Sequence, residues 1–283
     1  MSLSRQNLSI VIVTYKSENV VYDCINSIGS DIEIIVVENS NNIRFKESLE
    51  KKYPNVSCVI SLKNLGMGSG NNLGIKRVKN DFTLILNPDV ILENSTIDEL
   101  ILASKSIPSY AILAPISSDI DYPNYKILNP KKKIEDFLKP QKVKSVDGFA
   151  MLLDKKKLDE LFLKEYFDEH FFMYLENDDL CKRVIEANEN IYIVPTSKIK
   201  HLGGKAVDIK YNNEVEFSRN WHWIWSKFYY QQKHYGYLSA FLRGFPQFLS
   251  SSIKYFFYLV LKDKLKKKVY FNRASGFFNG AKK

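Results

Sequence analysis

Polar residues able to do chemistry stand just after apolar runs in this chain. Leu8–Thr14 closes on Thr14-Tyr15, Ile32–Val37 is followed by Glu38-Asn39-Ser40, and Phe82–Leu86 by Asn87-Pro88-Asp89. In open α/β sheets, ligands bind at the carboxyl ends of strands. Glu38 there can accept an N–H from a pyrimidine base or the hydroxyls of a ribose. Asp89 can hold a divalent cation that neutralises a diphosphate, and Pro88 stops the strand from continuing. Each has a plainer reading: Tyr15 covering the sheet edge, a turn at Asn39-Ser40, a capped strand end at Asp89.

Three further segments carry candidate chemistry. Asn64-Leu65-Gly66-Met67-Gly68-Ser69-Gly70-Asn71-Asn72-Leu73-Gly74 is glycine-rich. Glycines let backbone N–H groups approach phosphate at a helix start. The stretch follows the third strand and has Asn71 where a dinucleotide fingerprint needs glycine, which argues against a nicotinamide enzyme. Phe167–Cys181 crowds acids among aromatics, with Glu176-Asn177-Asp178-Asp179 at its heart. Carboxyls beside apolar groups have raised pKa values that suit a general base. The same acids also suit the first turn of a helix. His201-Leu202-Gly203-Gly204 offers an imidazole, a good ligand for manganese, on what reads as a flexible loop. A lone histidine is more often structural.

These residues need a scaffold. The chain has 283 residues, 45% apolar and 26% charged, enough for a packed core. Strands are expected at Leu8–Thr14, Ile32–Val37, Val56–Leu62, Phe82–Leu86 and Ala111–Ala114, then Val143–Leu153 and Ile191–Val194. Helices are expected near Asn19–Ile28, Ile43–Lys52, Gly70–Val78, Ser95–Ser106, Lys155–Leu163 and Asp179–Asn188. Ser95 with Asp98 resembles a capping box. Residues 117–144 read as loops or a short hairpin. Val- and Ile-rich strands alternating with helices give an α/β class with a mainly parallel sheet. Cys24, Cys58 and Cys181 form no CxxC pair, which argues for a reducing compartment and against a zinc ribbon. No signal peptide is visible.

In order, IVIVTYKSENVVYDCINSI, IIVVENSNN, NLGMGSGNNLGI, LILNPDV, VDGFAMLL, FDEHFFMYLENDDLCKRV and HLGG resemble the inverting glycosyltransferases of family 2, nearest the rhamnosyltransferase-like branch of bacterial surface polysaccharide synthesis. The resemblance covers residues 8 to 204. It implies a GT-A fold, a divalent cation (Mn²⁺ or Mg²⁺), a dTDP- or UDP-linked sugar donor and a saccharide acceptor on a lipid. It places Thr14, Tyr15 and Glu38 at the nucleoside, Asn71 and Asn87 near the diphosphate, and Asp89 with His201 on the metal. The family pattern Glu-Asp-x-Asp is broken here by Asn177, where the base is usually assigned. Glu176 or Asp178 is expected to serve instead. The alternative is an inactive sugar-nucleotide-binding homologue.

The catalytic domain is expected over 1–210, and a helical segment over 211–283. The net charge is +9, and residues 254–283 hold nine Lys or Arg against one acid, Asp263. Trp221, Trp225 and Phe228 share one helix face. Aromatics with basic residues suit a bilayer interface, and equally a helical pair packed on itself with a solvated end. The first reading puts a cytoplasmic protein on the inner face of the bacterial plasma membrane. Gly244–Leu261 comes nearest to a membrane span but is short and polar for one. Binding of nucleic acid is the rival from another class. No recognised nucleic-acid motif supports it, and the acids at 176–179 oppose it.

Overall fold

The computed structural model describes residues 2–119, 121–129, 137–162, 165–208 and 211–282. It divides into two compact units, Met1–Glu169 with Glu176–Asp208, and His170–Leu175 with Ile209–Lys283.

The first unit is built on ten strands. They are β1 (Leu8–Thr14), β2 (Glu33–Glu38), β3 (Val56–Ile60), β4 (Phe82–Leu86), β5 (Val90–Leu92), β6 (Ile112–Ser117), β7 (Tyr125–Ile127), β8 (Gln141–Val146), β9 (Ala150–Asp154) and β10 (Ile191–His201). Their order is β3-β2-β1-β4-β9-β6-β10-β8-β7, with β5 on β10. β3, β2, β1 and β4 run parallel. β9 is antiparallel to both β4 and β6, and β6 is parallel to β10. The order reverses at β1, which has β2 on one side and β4 on the other. Such a reversal is where α/β sheets open a ligand crevice.

The helices are α1 (Val21–Ile28), α2 (Ile43–Lys52), α3 (Gly66–Ile75), α4 (Thr96–Ser106), α5 (Lys155–Phe162) and α6 (Glu176–Glu186). Every residue of β1 and β4 is buried. One core cluster joins Ile10, Ile12, Ile34, Val36, Leu84 and Leu152 to α1, α2 and α4. Another joins Val11, Ile35, Ile85, Met151 and Leu153 to α3, α5 and α6. Alternate residues of each strand thus feed opposite faces, as a two-residue side-chain period requires.

Several expectations are corrected. Val143–Leu153 is not one strand: β8 and β9 part at Asp147-Gly148-Phe149. The last strand runs on to His201, so this histidine ends a strand rather than sitting on a loop. Ser95 precedes α4 but makes no side-chain cap. Glu176–Asp179 belong to the first turn of α6. The hairpin in 117–144 is β7 on β8, Tyr125 opposite Val146; residues 120 and 130–136 lie outside the described part, as does Leu163 at the end of the helix expected there.

The second unit holds α7 (Asn212–Tyr235), α8 (Tyr237–Val260) and α9 (Lys264–Ala281). Ile224, Phe228, Ala240 and Phe277 form its core. Gly244 is required where α8 crosses α9, since a Cβ there would lie 2.7 Å from the Phe277 ring. Trp225 and Phe228 are buried, and Trp221, Trp225 and Tyr229 stack along α7. The aromatic face of α7 is therefore a packing face, not a free one.

Candidate active site

The parallel register puts Thr14 opposite Glu38 at the ends of β1 and β2. Thr14 Oγ1 donates to Glu38 Oε2 at 2.6 Å, and the Ser40 N–H to Oε1 at 2.6 Å. Burial pushes the Glu38 carboxyl up from its ordinary value, and these donors pull against it. Asn39 donates to the Gly66 carbonyl at 3.1 Å, tying the end of β2 to the start of α3. Its Oδ1 is buried with no hydrogen-bond partner among the described residues. Tyr15, half-buried, follows directly.

The glycines of α3 serve packing as well as any ligand. A Cβ at Gly74 would stand 2.4 Å from Val11 Cγ1, and one at Gly70 2.9 Å from Val13 Cγ1. Only a helix without side chains on that face can lie so close to β1. Asn71, on the same helix, is buried with Oδ1 unpartnered. Asn72 anchors the chain before α6: its amide donates to Phe167 O at 2.8 Å and Glu169 Oε1 at 3.0 Å, and its Oδ1 accepts from Phe167 N at 3.0 Å.

Asn87-Pro88-Asp89 forms the turn between β4 and β5. Because β5 pairs antiparallel with the end of β10, His201 lies opposite Val90. The Leu202 N–H donates to Asp89 O at 3.0 Å. His201 Nε2 stands 3.5 Å from Asp89 Oδ1, and its ring stacks on Phe149 at 4.0 Å. Asp89 is 2% exposed, and its Oδ1, like that of Asn87, has no hydrogen-bond partner among the described residues. A buried carboxylate oxygen without a donor is costly unless something positive meets it. Asp89 and His201 fit as the protein's share of a cation site. No group of three His, Cys, Asp or Glu side chains gathers as a complete cage among the described residues. Two protein ligands with phosphate oxygens completing the shell is the arrangement Mg²⁺ commonly takes at nucleotides.

The third cluster sits at the start of α6. Glu176 is buried, its Oε2 has no hydrogen-bond partner among the described residues, and burial pushes its carboxyl up to about 7, with Asp178 adding to the rise. Asp178 pairs with Lys126 at 2.7 Å. Asp179 is buried against Arg183 at 3.0 Å and supports the helix. Asn177 donates to Val146 O at 2.9 Å, and its Cβ would meet a Cβ at Gly148 at 3.1 Å. Between those two residues stands Asp147, which the sequence reading passed over. Burial raises its carboxyl first, Asp178 raises it further, and Lys126 and His201 draw it down. Asp147 thus lies within electrostatic reach of both Asp178 and His201. The signal that could have found it is the Asp-Gly pair inside an apolar run, a mark of a strand break. Thr14 with Glu38, Asp89 with His201, and Asp178 with Lys126 are brought together. Among the described residues, Tyr15 and Asn71 join none of these pairs by a hydrogen bond.

Comparison with known proteins agrees with this layout. The chain is 28% identical over 203 residues to the low-salt glycan biosynthesis hexosyltransferase Agl10 of Haloferax volcanii, covering 65% of this chain and 64% of that one. It is 23% identical to the N-acetylglucosaminyl-diphospho-decaprenol L-rhamnosyltransferase of Mycobacterium tuberculosis, covering 60% and 66%. The match therefore spans just under two thirds of each of these relatives. Rhamnosyltransferase WbbL of Escherichia coli K12 is 25% identical over 242 residues, covering 76% and 88%. Among solved structures, mannosyltransferase PcManGT of Pyrobaculum calidifontis, crystallised with GDP-Man and Mn²⁺, superposes with a TM-score of 0.57 at 10% identity, covering 99% of this chain and 74% of that one. Residues 1–349 of S. aureus TarS give 0.52 at 14%, covering 96% and 90%. The fold is GT-A-like, a central sheet flanked by helices with helices appended at the C-terminus. The glycosyl transferase family 2 model matches residues 9–162, more than half the chain, and the protein belongs to that family.

Proposed function

We propose that the protein is an inverting glycosyltransferase that moves a sugar, rhamnose in preference, from a nucleoside-diphosphate donor to a lipid-linked saccharide in bacterial surface polysaccharide synthesis. The observation that carries this is the buried Asp89 carboxylate, its Oδ1 without a hydrogen bond among the described residues and 3.5 Å from His201 Nε2, at the sheet's carboxyl edge in a family 2 domain. Asp89 and His201 would hold a divalent cation there. A bound cation supplies positive charge to the diphosphate as it leaves. Glu38, fixed by Thr14 and Ser40, presents a carboxylate to the nucleoside. The acceptor hydroxyl attacks the anomeric carbon opposite the departing diphosphate, and its proton passes to a carboxylate as the new C–O bond forms. Glu176 suits that task, since a base works best with a pKa near the working pH. Asp178, held by Lys126 beside Asp147, orients the acceptor. The lipid-linked acceptor is supported by the mycobacterial relative's name, and rhamnose by two relatives; a location on the inner membrane surface would bring the protein to such an acceptor.

The test is incubation with dTDP-rhamnose and an N-acetylglucosaminyl-diphospho-lipid in Mn²⁺, with release of dTDP and an inverted glycosidic bond as the expected products. Asn177 favours a second reading, donor binding without transfer. Absence of product across dTDP- and UDP-linked sugars, with donor still bound, would leave that reading standing.

A further inference from the structure

The second unit carries an apolar row that its own packing does not use. Leu238, Leu242, Phe245, Leu249, Ile253, Phe256 and Val260 follow one another on α8 at steps of three or four residues and are 42–80% exposed. At about 100° per residue, the row lies about 140–220° around the helix from Ala240. Ala240, Gly244 and Ser251 fall within about 40° of one another on the opposite side. There Ala240 and Ser251 are buried and Gly244 meets Phe277. One face of α8 thus packs in the bundle, and the other is a continuous strip about 33 Å long at 1.5 Å per residue. Scattered exposed leucines need no explanation, but a contiguous strip marks an interaction surface.

Charge says what the strip meets. At its C-terminal end, the turn after α8 and the first turn of α9 expose Leu261, Leu265, Lys262, Lys264 and Lys266 together. α8 itself holds no acid, and residues 254–283 hold nine cations against one acid. A second copy of the chain would bring like charge to like. An anionic bilayer offers hydrocarbon for the strip and phosphate for the lysines, each cation near such a surface adding to the attraction. No helix among the described residues is long and apolar enough to cross a membrane, so α8 would lie along it.

We infer that the outward strip of α8, with the lysines of the α8–α9 turn, is a docking face for an anionic lipid bilayer, laid flat in the headgroup region. This gives a surface to the membrane location proposed above and rests on that part of it, not on the transfer chemistry.

The experiment is flotation of the full chain with vesicles of phosphatidylethanolamine containing one third phosphatidylglycerol, beside pure phosphatidylcholine, with sedimentation in the absence of lipid. Wild type is expected to float with the anionic vesicles and to partition at least tenfold less onto phosphatidylcholine. Leu249→Glu/Ile253→Glu is expected to lose anionic binding at least tenfold. Lys262→Glu/Lys264→Glu is expected to lose binding that wild type also loses in high salt. Circular dichroism and nucleotide binding, read on each variant, separate loss of docking from misfolding and from failure of the donor site. Wild type that stays unbound in low salt overturns the inference. So do a folded strip variant that still floats, and self-association abolished by the strip variant, which would make the row a seam between copies.

Discussion

Replacing Glu176 by Gln tests whether the fold holds this carboxyl neutral. Its ordinary value is 4.5, and burial raises it to about 7. At 1.36 kcal/mol per pH unit, ionised Glu176 is disfavoured in the folded chain by about 3 kcal/mol. The folded state keeps this proton to a higher pH than the unfolded state does. Glu176 therefore leaves stability untouched below about 4.5, erodes it as pH rises from 4.5 to 7, and holds the full penalty above that. Glutamine cannot ionise, so the penalty vanishes in Glu176→Gln. Urea unfolding of both proteins from pH 4.5 to 8.5 should show the variant gaining on wild type by about 3 kcal/mol across that range, nearly all of it by about pH 7.5. Turnover should move the other way, falling at least a hundredfold as the base is lost, in line with the usual 10²–10⁴ worth of such groups. A stability difference flat with pH would refute the burial argument. Full turnover in the variant would refute the assignment of the base.

Other outcomes follow from the same geometry. Asp89→Asn should keep the fold and lose the Mn²⁺-dependent part of nucleotide binding, measured by titration with and without EDTA. Gly74→Ala should destabilise by about 1–3 kcal/mol in urea unfolding, because the new methyl meets Val11 Cγ1 at 2.4 Å between a helix and a buried strand. Asp147→Asn should lower kcat at least tenfold with donor affinity unchanged, since its carboxyl is coupled to Asp178, the residue proposed to orient the acceptor. Lys126→Met removes the cation that draws the Asp147 carboxyl down, and should move the acid limb of the pH–rate profile to higher pH.

Much of the scaffold was legible because burial imposes strong patterns. β1 and β4 are buried throughout and read as apolar runs with one polar residue inside each, Ser9 and Thr83, so their ends, and Thr14 and Asp89 with them, could be placed. Pairs made by topology were not legible. His201 reaches Asp89 because β5 folds back onto a strand that begins some hundred residues later, and nothing local near His201 says so. The expected loop reading followed Gly203 and Gly204, whose positive φ values come just after the strand ends. Asp147 was hidden for a related reason: an apolar stretch around Gly148 reads as one strand, and the Asp-Gly pair inside it is its one local mark of a break. Glycines in such a stretch suit phosphate or a plain turn, and that Gly70 and Gly74 also face β1 is a packing role their spacing alone does not show. The aromatic face of α7 could be read either way until α8 and α9 were seen covering it.

The most direct test of the central claim is calorimetric titration of dTDP and UDP into the protein, each with Mn²⁺ and with EDTA, repeated on Asp89→Asn. Nucleotide should bind in Mn²⁺, at least tenfold more weakly in EDTA, and equally weakly in the variant. Nucleotide binding that ignores both the metal and Asp89 would contradict it.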